Sequence, residues 1–420
     1  MEDERSNSHL QSSTRSKRGA DISSPLCEPP ASNLIVIVAG EASGDLHGAN
    51  LVRAIRKLAP HVGFCGIGGK RMEDAGVEIL FSSSEMAVVG FTEVFSRLRV
   101  IRQAYLELKS ILRNRKPDLL IVIDYPDFNL LLAGAAKKFN VPVLYYISPQ
   151  VWAWRPGRVK KIADRADRVA VILPFEREFY LERGVAVDYV GHPLMDIVPD
   201  NLCREEILRS LGLADKGPIV GLLPGSRREE VTRLLPVMLG AAESLFRTRP
   251  GIACLLPLAP TIAPDLVHSL IGGSSLPIRV VDDMYSVLAA SDLALVASGT
   301  ATLEAAIMRV PMVVVYRVSP LTFWLGKMVV KVPFISLVNL IAGEKIVPEL
   351  IQGEVTPERL AQESERILGS GPERESMVNR LKKLKEGLGG RSASEKTAAI
   401  AVSMMRKEPL HHEEHEVSLR

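Results

Sequence analysis

Short apolar runs alternate with longer amphipathic segments along most of this chain. The first run, LIVIVAG, begins at Leu34, and the segment GDLHGANLVRAIRKL behind it has helical spacing. Continuous apolar runs of this kind predict parallel strands that are buried on both faces. The alternation continues through VGFCGIGG, PDLLIVIDYPDF, VPVLYYISPQ, RVAVILPF and VDYVGHP. Strands that alternate with helices in this order predict a doubly wound α/β domain.

A second series of the same kind follows the segment VPDNLCREEILRSLGL. GPIVGLLPGS, IACLLPLAP, IRVVDD, SDLALVAS and VPMVVVYR are predicted strands. The segment EEVTRLLPVMLGAAESLF is a predicted helix that starts or breaks at Pro236, because proline lacks the N–H donor that a helix interior uses. The fold class is therefore α/β, with two Rossmann-like, doubly wound domains that face a cleft.

This pattern places the domain boundary near Pro199. We expect an N-terminal domain over 33–198 and a C-terminal domain over 199–395, whose terminal helices pack back on the N-terminal domain or on a partner subunit. Residues 1–32 are polar and mixed in charge and predict a disordered extension. Residues 396–420 predict the end of a helix and a polar tail, whose histidines His411, His412 and His415 are read as solvated.

Composition excludes several classes of protein. A chain of 420 residues with 47% hydrophobic residues is long enough for two cores. The net charge of +3 argues against a dedicated nucleic-acid binder. Four cysteines without metal-ligand spacing are typical of a reducing compartment. The N-terminus has no apolar core of a signal peptide, and no apolar run is long enough to span a membrane.

The candidate chemistry lies where the predicted strands end. Ligands of doubly wound sheets bind outside the carboxyl ends of the strands. Polar or glycine-rich loops stand there in GEASGD, IDYPDFN, SPQVWAWR, GHP, PGSRREE and ASGTATLE. The chain has neither the GxGxxG pattern nor a Walker A loop, so the sequence gives no sign of a dinucleotide or of ATP hydrolysis.

Two of these loops are candidate anion sites. In the second domain, Ser298, Gly299 and Thr300 open a helix, where free N–H groups and hydroxyls favour a phosphate. Glu304 shares that helix face and could accept the hydroxyls of a ribose. The alternative is a plain helix cap with a first-turn carboxylate. Gly225, Ser226 and Arg227 occupy the corresponding loop, where Arg227 either neutralises a leaving diphosphate or is a solvated member of the run RREE.

The first domain offers candidate groups for an acceptor. Asp124 ends a strand at the cleft and is either a general base or a structural cap. Glu41, Ser43, Gly44 and Asp45 open the first helix and could hold a phosphate or sugar hydroxyls. His192 in GHP is either a ligand or a hydrogen-bonded structural histidine.

One apolar segment, SPLTFWLGKMVVKVPFISLVNLIAG, has a membrane-like pattern. Leu321, Trp324, Leu325 and Met328 share a helical face, and Lys327 and Lys331 lie on the other side. Such a face predicts either a helix that lies on a membrane or a buried core or dimer helix. The segment at 86–98 is a second apolar stretch that could line an acyl-chain path. The basic residues at 155–168 are read as a solvated face or as a contact for a phosphorylated lipid.

The motifs AGEASGD, IDYPDFN, SPQVWAWR, LLPGSR, ASGTATLE and SPLTFWLGK with SLVNLIAG together resemble the lipid-A-disaccharide synthase family. They stand in the family's chain order, and the resemblance covers roughly residues 34–395. It implies a glycosyltransferase-B fold without a cofactor or catalytic metal. The implied reaction joins UDP-2,3-diacylglucosamine to 2,3-diacylglucosamine 1-phosphate through a β-1,6 bond and releases UDP, with inversion at the anomeric carbon.

The resemblance also implies roles for individual residues. Asp124 matches the family's essential aspartate and Arg227 its essential arginine. Ser298, Thr300 and Glu304 match the family's nucleotide-binding motif, and the resemblance implies that Asn339, in the nearby NLIAG segment, also binds the nucleotide or its diphosphate. We also expect Ser148 and Trp152 to lie near the acceptor sugar, and we expect the membrane or the acyl chains to contact Leu321, Phe323, Trp324, Leu325 and Met328.

Family members work in the cytoplasm on the inner face of the Gram-negative inner membrane and can form homodimers. The adjacent pair Asp282 and Asp283 lacks the spacing of a DxD metal site, so no metal is expected.

Two other functions compete with this interpretation. A UDP-N-acetylglucosamine 2-epimerase or the peptidoglycan N-acetylglucosaminyltransferase would share the fold but would not need the Trp324 face. A non-catalytic nucleotide-sugar or phospholipid binding protein would tolerate loss of the Asp124 carboxylate. Turnover of lipid-linked substrates distinguishes all three.

Overall fold

The strands of both sheets are apolar at nearly every residue, because helices cover both faces of each sheet. All five residues of the strand Leu119–Ile123 are buried, as are all five of Ile219–Leu223. This is the burial expected of parallel sheets in α/β domains. The structure is a computed structural model, and it describes residues 33–86, 94–149, 151–154, 157–213, 217–320, 323–324 and 332–406.

In the described ranges the first domain is built on a seven-stranded parallel sheet of order β3-β2-β1-β4-β5-β6-β7. Its strands are β1 Asn33–Ala39, β2 Val62–Gly68, β3 Glu78–Ser82, β4 Leu119–Ile123, β5 Val143–Tyr146, β6 Arg168–Val171 and β7 Val187–Tyr189. Its helices are α1 Ala42–Leu58, α2 Lys70–Asp74, α3 Ser83–Met86, α4 Val94–Asn114, α5 Pro126–Lys138, α6 Val151–Trp154, α7 Arg158–Arg165, α8 Pro174–Leu181 and α9 Leu194–Ile197.

The second domain has, in the described ranges, a six-stranded parallel sheet of order β10-β9-β8-β11-β12-β13. Its strands are β8 Ile219–Leu223, β9 Ala253–Pro257, β10 Ile278–Val281, β11 Leu293–Ala297, β12 Met312–Tyr316 and β13 Glu349–Ile351. Its helices are α10 Arg204–Ser210, α11 Arg228–Thr248, α12 Pro264–Ile271, α13 Met284–Ala290, α14 Thr300–Ile307, α15 Leu337–Ala342, α16 Pro357–Gly369 and α17 Gly371–Gly387. The predicted class of two doubly wound α/β domains is confirmed.

The strand order places the predicted loops at the point where each sheet reverses its winding. In the first sheet the central pair is β1 and β4, with Ala39 opposite Ile123. In the second it is β8 and β11, with Leu223 opposite Val296. A crevice opens between the carboxyl ends of such a pair, and ligands bind in it. The loops after these four strands are the GEASGD, IDYPDFN, PGSRREE and ASGTATLE segments.

The chain crosses between the domains twice, and the two crossings lie side by side. The backbone N–H of His192 donates to the carbonyl of Leu388 at 3.0 Å. The second crossing leads into a last helix, α18 Ala393–Arg406, which packs on α1 of the first domain. Asp196 accepts hydrogen bonds from the backbone and the hydroxyl of Ser394, each at 3.0 Å, and so caps this helix.

Some sequence-based expectations need correction. Helix α11 runs without a break from Arg228 to Thr248 and holds Pro236 in its interior. The predicted break is therefore wrong: burial of the apolar face of α11 outweighs the missing hydrogen bond, since Leu234, Leu235 and Met238 are all buried. Elements α2, β3 and β13 were not predicted because each is short, and the 21-residue helix α4 was overlooked although its apolar positions have helical spacing. Arg168 belongs to β6 and not to the basic helix.

Several predicted features lie outside the described residues. These are the N-terminal extension 1–32, most of the apolar stretch 86–98, the tail after Arg406, and Leu321, Leu325 and Met328. Among the helices that are described, none is both long and apolar enough to cross a bilayer. Cys65 and Cys254 are buried, and Cys203 is exposed.

Candidate active site

The backbone directly after β4 adopts an unusual conformation. Asp124 and Tyr125 have φ angles of 47° and 45°, in the left-handed region that non-glycine residues rarely enter. The carbonyl of Asp124 accepts hydrogen bonds from Asn129 Nδ2 at 2.6 Å and from the Tyr145 hydroxyl at 3.0 Å. Both donors come from buried positions. The surrounding fold thus holds a strained turn in place, an arrangement that is frequent at functional sites.

A close contact between two loops fixes where Asp124 lies. A Cβ on Gly40 would approach Cγ of Tyr125 to 2.4 Å, so only glycine lets the Tyr125 ring lie against the end of β1. The Tyr125 hydroxyl donates to the carbonyl of Met86 at 3.2 Å. This packing brings the exposed Glu41, next to Gly40, into the neighbourhood of Asp124.

The electrostatics of this corner favour a proton on Asp124. Burial raises the pKa of the Asp124 carboxyl, the charge of Glu41 adds to this shift and the N–H of Tyr125 opposes it, so that the pKa is about 6. A carboxylate with a pKa near the working pH is an effective general base. The Asp124 carboxyl meets the N–H of Tyr125, the residue that precedes α5, so a cap-like contact and a raised pKa occur together at this position.

The SPQVWAWR segment is held by one neighbouring helix. Tyr180 of α8 donates to Ser148 Oγ at 3.1 Å, and Trp152 Nε1 donates to Glu176 Oε1 at 3.0 Å. Glu176 is buried, which raises its pKa to about 7, while the Trp152 indole N–H and the N–H groups of Leu173 and Ile172 act against that shift. The predicted acceptor residues Ser148 and Trp152 are therefore anchored groups.

Of the GEASGD residues, Asp45 has a structural role that the sequence did not suggest. Its two carboxylate oxygens accept from the backbone N–H groups of Gly69, Arg71 and Met72 at 2.7 to 3.2 Å, and the residue is 7% exposed. It fixes the start of α2 and leaves little capacity for a sugar. Ser43 is exposed, and Gly44 is buried against β1.

In the second domain, the loop after β8 turns at Gly225, whose φ of 109° favours glycine. Glu230 reaches back to the N–H groups of Ser226 and Arg227, each at 3.3 Å. Its other oxygen pairs with the Arg227 guanidinium at 3.1 Å, and the Arg227 side chain is 76% exposed. Arg227 thus stands at the end of the loop with most of its surface open to a ligand.

The loop after β11 leads into α14. Gly299 holds the N-cap position of this helix, and no side chain caps the helix start. The hydroxyl of Ser298 donates to the carbonyl of Ile335 at 3.2 Å, so it is a tether in this structure and not a free phosphate donor. Gly299 and Thr300 are exposed, and an added Cβ on Gly299 would meet nothing within 4 Å. This open helix start fits an anion better than the plain-cap alternative does.

Glu304 lies in the same cleft and bonds across to α13. The Tyr285 hydroxyl donates to Glu304 Oε1 at 2.9 Å. Burial raises the pKa of Glu304, and the Tyr285 bond acts in the opposite direction. Burial likewise raises the pKa of Tyr285, Glu304 adds to it, and the positive charge of Arg71, on the first domain, lowers it.

Asn339 does not have the role that was predicted for it. Its Oδ1 accepts from the N–H groups of Ile346 and Val347 at 2.8 and 3.0 Å. Its Nδ2 donates to the carbonyl of Val347 and to Glu349 Oε1 at 2.9 and 2.8 Å. The residue is fully buried, so its side chain has no donor or acceptor left for a nucleotide. The arrangement supports a positioning role.

Within the described residues, no group of three or more His, Cys, Asp and Glu side chains is placed to hold a metal ion. The carboxylate of Asp283 is engaged in capping α13, where it accepts from the N–H groups of Tyr285 and Ser286. His192 is buried, which lowers its pKa to about 3, and its Nδ1 accepts from the N–H of Leu194 at 3.2 Å. This favours the structural alternative for His192.

Comparison with known proteins gives the same result as the motifs. A family model described as lipid-A-disaccharide synthetase matches residues 35–403. The lipid-A-disaccharide synthases of Geobacter sulfurreducens and Geobacter metallireducens are 49% and 50% identical to this chain, over 90% and 89% of it and over 98% and 97% of their own lengths.

The chain belongs to the lipid-A-disaccharide synthase family. It is a UDP-sugar-dependent hexosyltransferase of lipid A biosynthesis, as the resemblance implied.

Solved structures confirm the fold of this lipid-A-disaccharide synthase family member. A putative UDP-N-acetylglucosamine 2-epimerase from Listeria monocytogenes matches with a TM-score of 0.59 and 15% identity, over 90% of this chain and 99% of its own. The calicheamicin glycosyltransferase CalG4 matches with a TM-score of 0.57 and 14% identity, over 89% and 98%. At such identities the likeness shows a glycosyltransferase-B type fold and no more.

The sequence alone missed the residues that hold the site together. Asn129, Tyr145, Glu176 and Glu349 hydrogen-bond candidate site residues, and the charge of Arg71 acts on Tyr285 of the second domain. Asn129 is the last residue of the IDYPDFN motif, so the sequence offered a signal for the hydrogen bond that it donates to the turn at Asp124. The other four lie in no candidate motif, and only the tertiary contacts identify them.

The Glu41 and Asp124 pair predicts a pH effect. In Glu41→Gln the repulsion that helps to raise the pKa of Asp124 is lost, while burial remains. The pKa of Asp124 should therefore fall below about 6 but stay above 3.8. The acid limb of kcat/KM against pH should move to lower pH, since a base works only when deprotonated.

The control for this profile is Glu73→Gln, an exposed acid that is paired with Lys70 on α2. Any titration of the substrates is common to all three proteins, so a difference in midpoint belongs to the enzyme. An unchanged midpoint in Glu41→Gln would refute the electrostatic coupling.

Proposed function

We propose that the cleft carries out an inverting transfer in which Asp124 is the general base. The Asp124 carboxylate takes the proton of the acceptor's 6-hydroxyl as that oxygen attacks the anomeric carbon of UDP-2,3-diacylglucosamine. The glycosidic bond forms, the bond to the diphosphate breaks, and UDP leaves with the electron pair. The acceptor is 2,3-diacylglucosamine 1-phosphate.

One observation carries this proposal: the two walls of the cleft differ in electrostatic character. The first-domain loops present a desolvated carboxyl beside a second acid. The second-domain loops present an exposed guanidinium and an open helix start. An acceptor hydroxyl needs the former and a departing diphosphate needs the latter. Each pair of loops lies at the switch point of its own sheet.

On the donor side, we assign the diphosphate to the loops after β8 and β11. The N–H groups at the start of α14, the hydroxyl of Thr300 and the guanidinium of Arg227 are the donors that stabilise the developing charge. The carboxylate of Glu304, held by Tyr285, is placed to accept a ribose hydroxyl. Gly225 and Gly299 let the backbone approach the phosphates.

We propose that this reaction needs neither a metal ion nor a cofactor. The support is the donor set itself: the Arg227 guanidinium and the helix start supply the positive potential that a metal would supply in other transferases. The carboxylate of Asp283, which belongs to the acidic pair considered as a metal ligand, already accepts hydrogen bonds from three donors of Tyr285 and Ser286.

We also propose that the enzyme works on the cytoplasmic face of the inner membrane, where its lipid substrates are. Trp324 supports this, because its large apolar side chain is 60% exposed. Phe323 beside it is half-buried. An exposed Trp that lysines follow in the sequence, here Lys327 and Lys331, is typical of a membrane interface. The family resemblance adds that a homodimer can form.

Turnover of the two lipid substrates in excess EDTA tests the reaction. Wild type should form the disaccharide and UDP. Asp124→Asn should lose roughly 100-fold or more in kcat because the base is lost. Arg227→Ala should lose on the order of 100-fold because the leaving group is no longer neutralised.

Two neighbouring residues are matched controls. Asp127→Asn removes an exposed carboxylate that pairs with Arg158, and Arg228→Ala removes the next arginine of the same run. Both should keep near-wild-type turnover. Asp124→Asn should unfold at no lower temperature than wild type, because a raised pKa means that the charged form costs folding free energy above pH 6. Full turnover in Asp124→Asn would contradict the mechanism, and loss of turnover in EDTA would contradict its metal independence.

Trp324→Glu tests the membrane proposal. Placing a charge at this exposed side chain should release the protein from anionic vesicles in a sedimentation assay, because the apolar contact of Trp324 with the lipid is lost and repulsion is added. Leu181→Glu, at an exposed apolar residue of α8 in the first domain, is the control and should sediment as wild type does. Equal sedimentation of Trp324→Glu and wild type would refute a contact through Trp324.

A further inference from the structure

Near the loop after β11, which contains Ser298, the carboxylate of Glu349 accepts hydrogen bonds from four donors. Glu349, the first residue of β13, accepts from the N–H of Ser336 at 3.0 Å, from the Ser336 hydroxyl at 2.6 Å and from Asn339 Nδ2 at 2.8 Å through one oxygen. Its other oxygen accepts from the N–H of Ile335 at 3.0 Å. Ser336 and Asn339 are fully buried. Nothing in the proposed chemistry uses this carboxylate directly.

The peptide groups of Ile335 link this carboxylate to the nucleotide loop. The N–H of Ile335 is bound by Glu349, and its carbonyl accepts the hydroxyl of Ser298. Ser298 is the residue directly after β11, and its own N–H bonds the carbonyl of Val315. The hydroxyl tether therefore fixes the loop from which α14 starts.

A second side chain of the same region holds a different part of the chain. Gln352, three residues after Glu349, accepts from the N–H of Val318 at 2.7 Å and donates to its carbonyl at 3.2 Å. Val318 and Ile335 are the two ends of one long connection after β12. Of these two anchors, Glu349 is the one that reaches the Ser298 loop through a shared residue.

We propose that Glu349 is a positioning residue for UDP binding. By holding Ile335 it sets the Ser298 tether, and the tether keeps the first N–H groups of α14 directed at the cleft. Asn339 belongs to the same unit, since it holds Glu349 from one side and the 346–347 backbone from the other. The inference rests on the proposed assignment of the diphosphate to this loop.

Glu349→Gln is the first variant, because it keeps the shape of the side chain. An amide has one acceptor oxygen where the carboxylate has two. If that oxygen serves Ser336 and Asn339, the NH₂ group faces the N–H of Ile335, and two donors meet. The Ile335 anchor is then lost in an otherwise intact site. We expect the dissociation constant for UDP, measured by calorimetry, to rise roughly tenfold.

A double-mutant cycle separates positioning from general destabilisation. Since Glu349 acts through the Ser298 tether, Glu349→Gln should add little to the UDP dissociation constant in a Ser298→Ala background. Gln352→Asn shortens the other anchor. Asparagine suits the left-handed backbone at this position, where φ is 53°, so UDP binding should be unchanged. Thermal unfolding is recorded for each protein.

Unaltered UDP binding by folded Glu349→Gln would overturn the inference, and so would effects of Glu349→Gln and Ser298→Ala that simply add. If Glu349→Gln does not fold, Glu349→Asp gives the same comparison with the charge kept and the reach shortened. Failure of the wild type to bind UDP would overturn the proposed function instead, so the two failures are distinguishable.

Discussion

The hydrogen bonds that Asn129 and Tyr145 donate to the carbonyl of Asp124 hold the turn on which the proposed chemistry depends. Two consecutive left-handed residues cost free energy, of order 1–3 kcal/mol each, and persist only where the surroundings enforce them. Here the enforcement comes from a fully buried strand behind the turn and from the Tyr125 ring against Gly40. The result is a half-buried carboxyl whose pKa is raised by burial and by the charge of Glu41.

In the second domain, the proposed task is to stabilise negative charge, and loops at the ends of β8 and β11 again supply the groups. A departing diphosphate needs donors that are already oriented, and a helix start supplies them only if its own side chains do not consume them. Gly299 leaves the start of α14 open, and the Ser298 hydroxyl is turned away to Ile335. The carboxylates therefore have different parts: Asp124 is the proposed base and is half-buried, whereas Asp45 and Glu349 hold backbone N–H groups in place.

The sequence predicted the architecture and the loops because both follow from local pattern. Apolar runs identify buried parallel strands, and the carboxyl ends of those strands identify the cleft. The sequence could not distinguish residues that bind substrate from residues that hold the fold. An aspartate such as Asp45 or an asparagine such as Asn339 can bind either a sugar or a backbone N–H. That division depends on partners distant in the chain, such as Gly69 for Asp45 and Val347 for Asn339. Pro236 failed as a helix breaker for the same reason, because tertiary burial outweighed a local rule.

The proposed mechanism depends most on the raised pKa of Asp124, and a direct titration of this carboxyl tests it. Carbon-13 NMR of protein labelled at the aspartate carboxyls, compared with the Asp124→Asn variant, isolates this group, and glutamates such as Glu176 do not contribute. The structure predicts one aspartate signal with a midpoint near pH 6 that is missing from the variant. A midpoint for Asp124 at or below its ordinary value of 3.8 would contradict the account, because the carboxylate would then be a weak base in an open site.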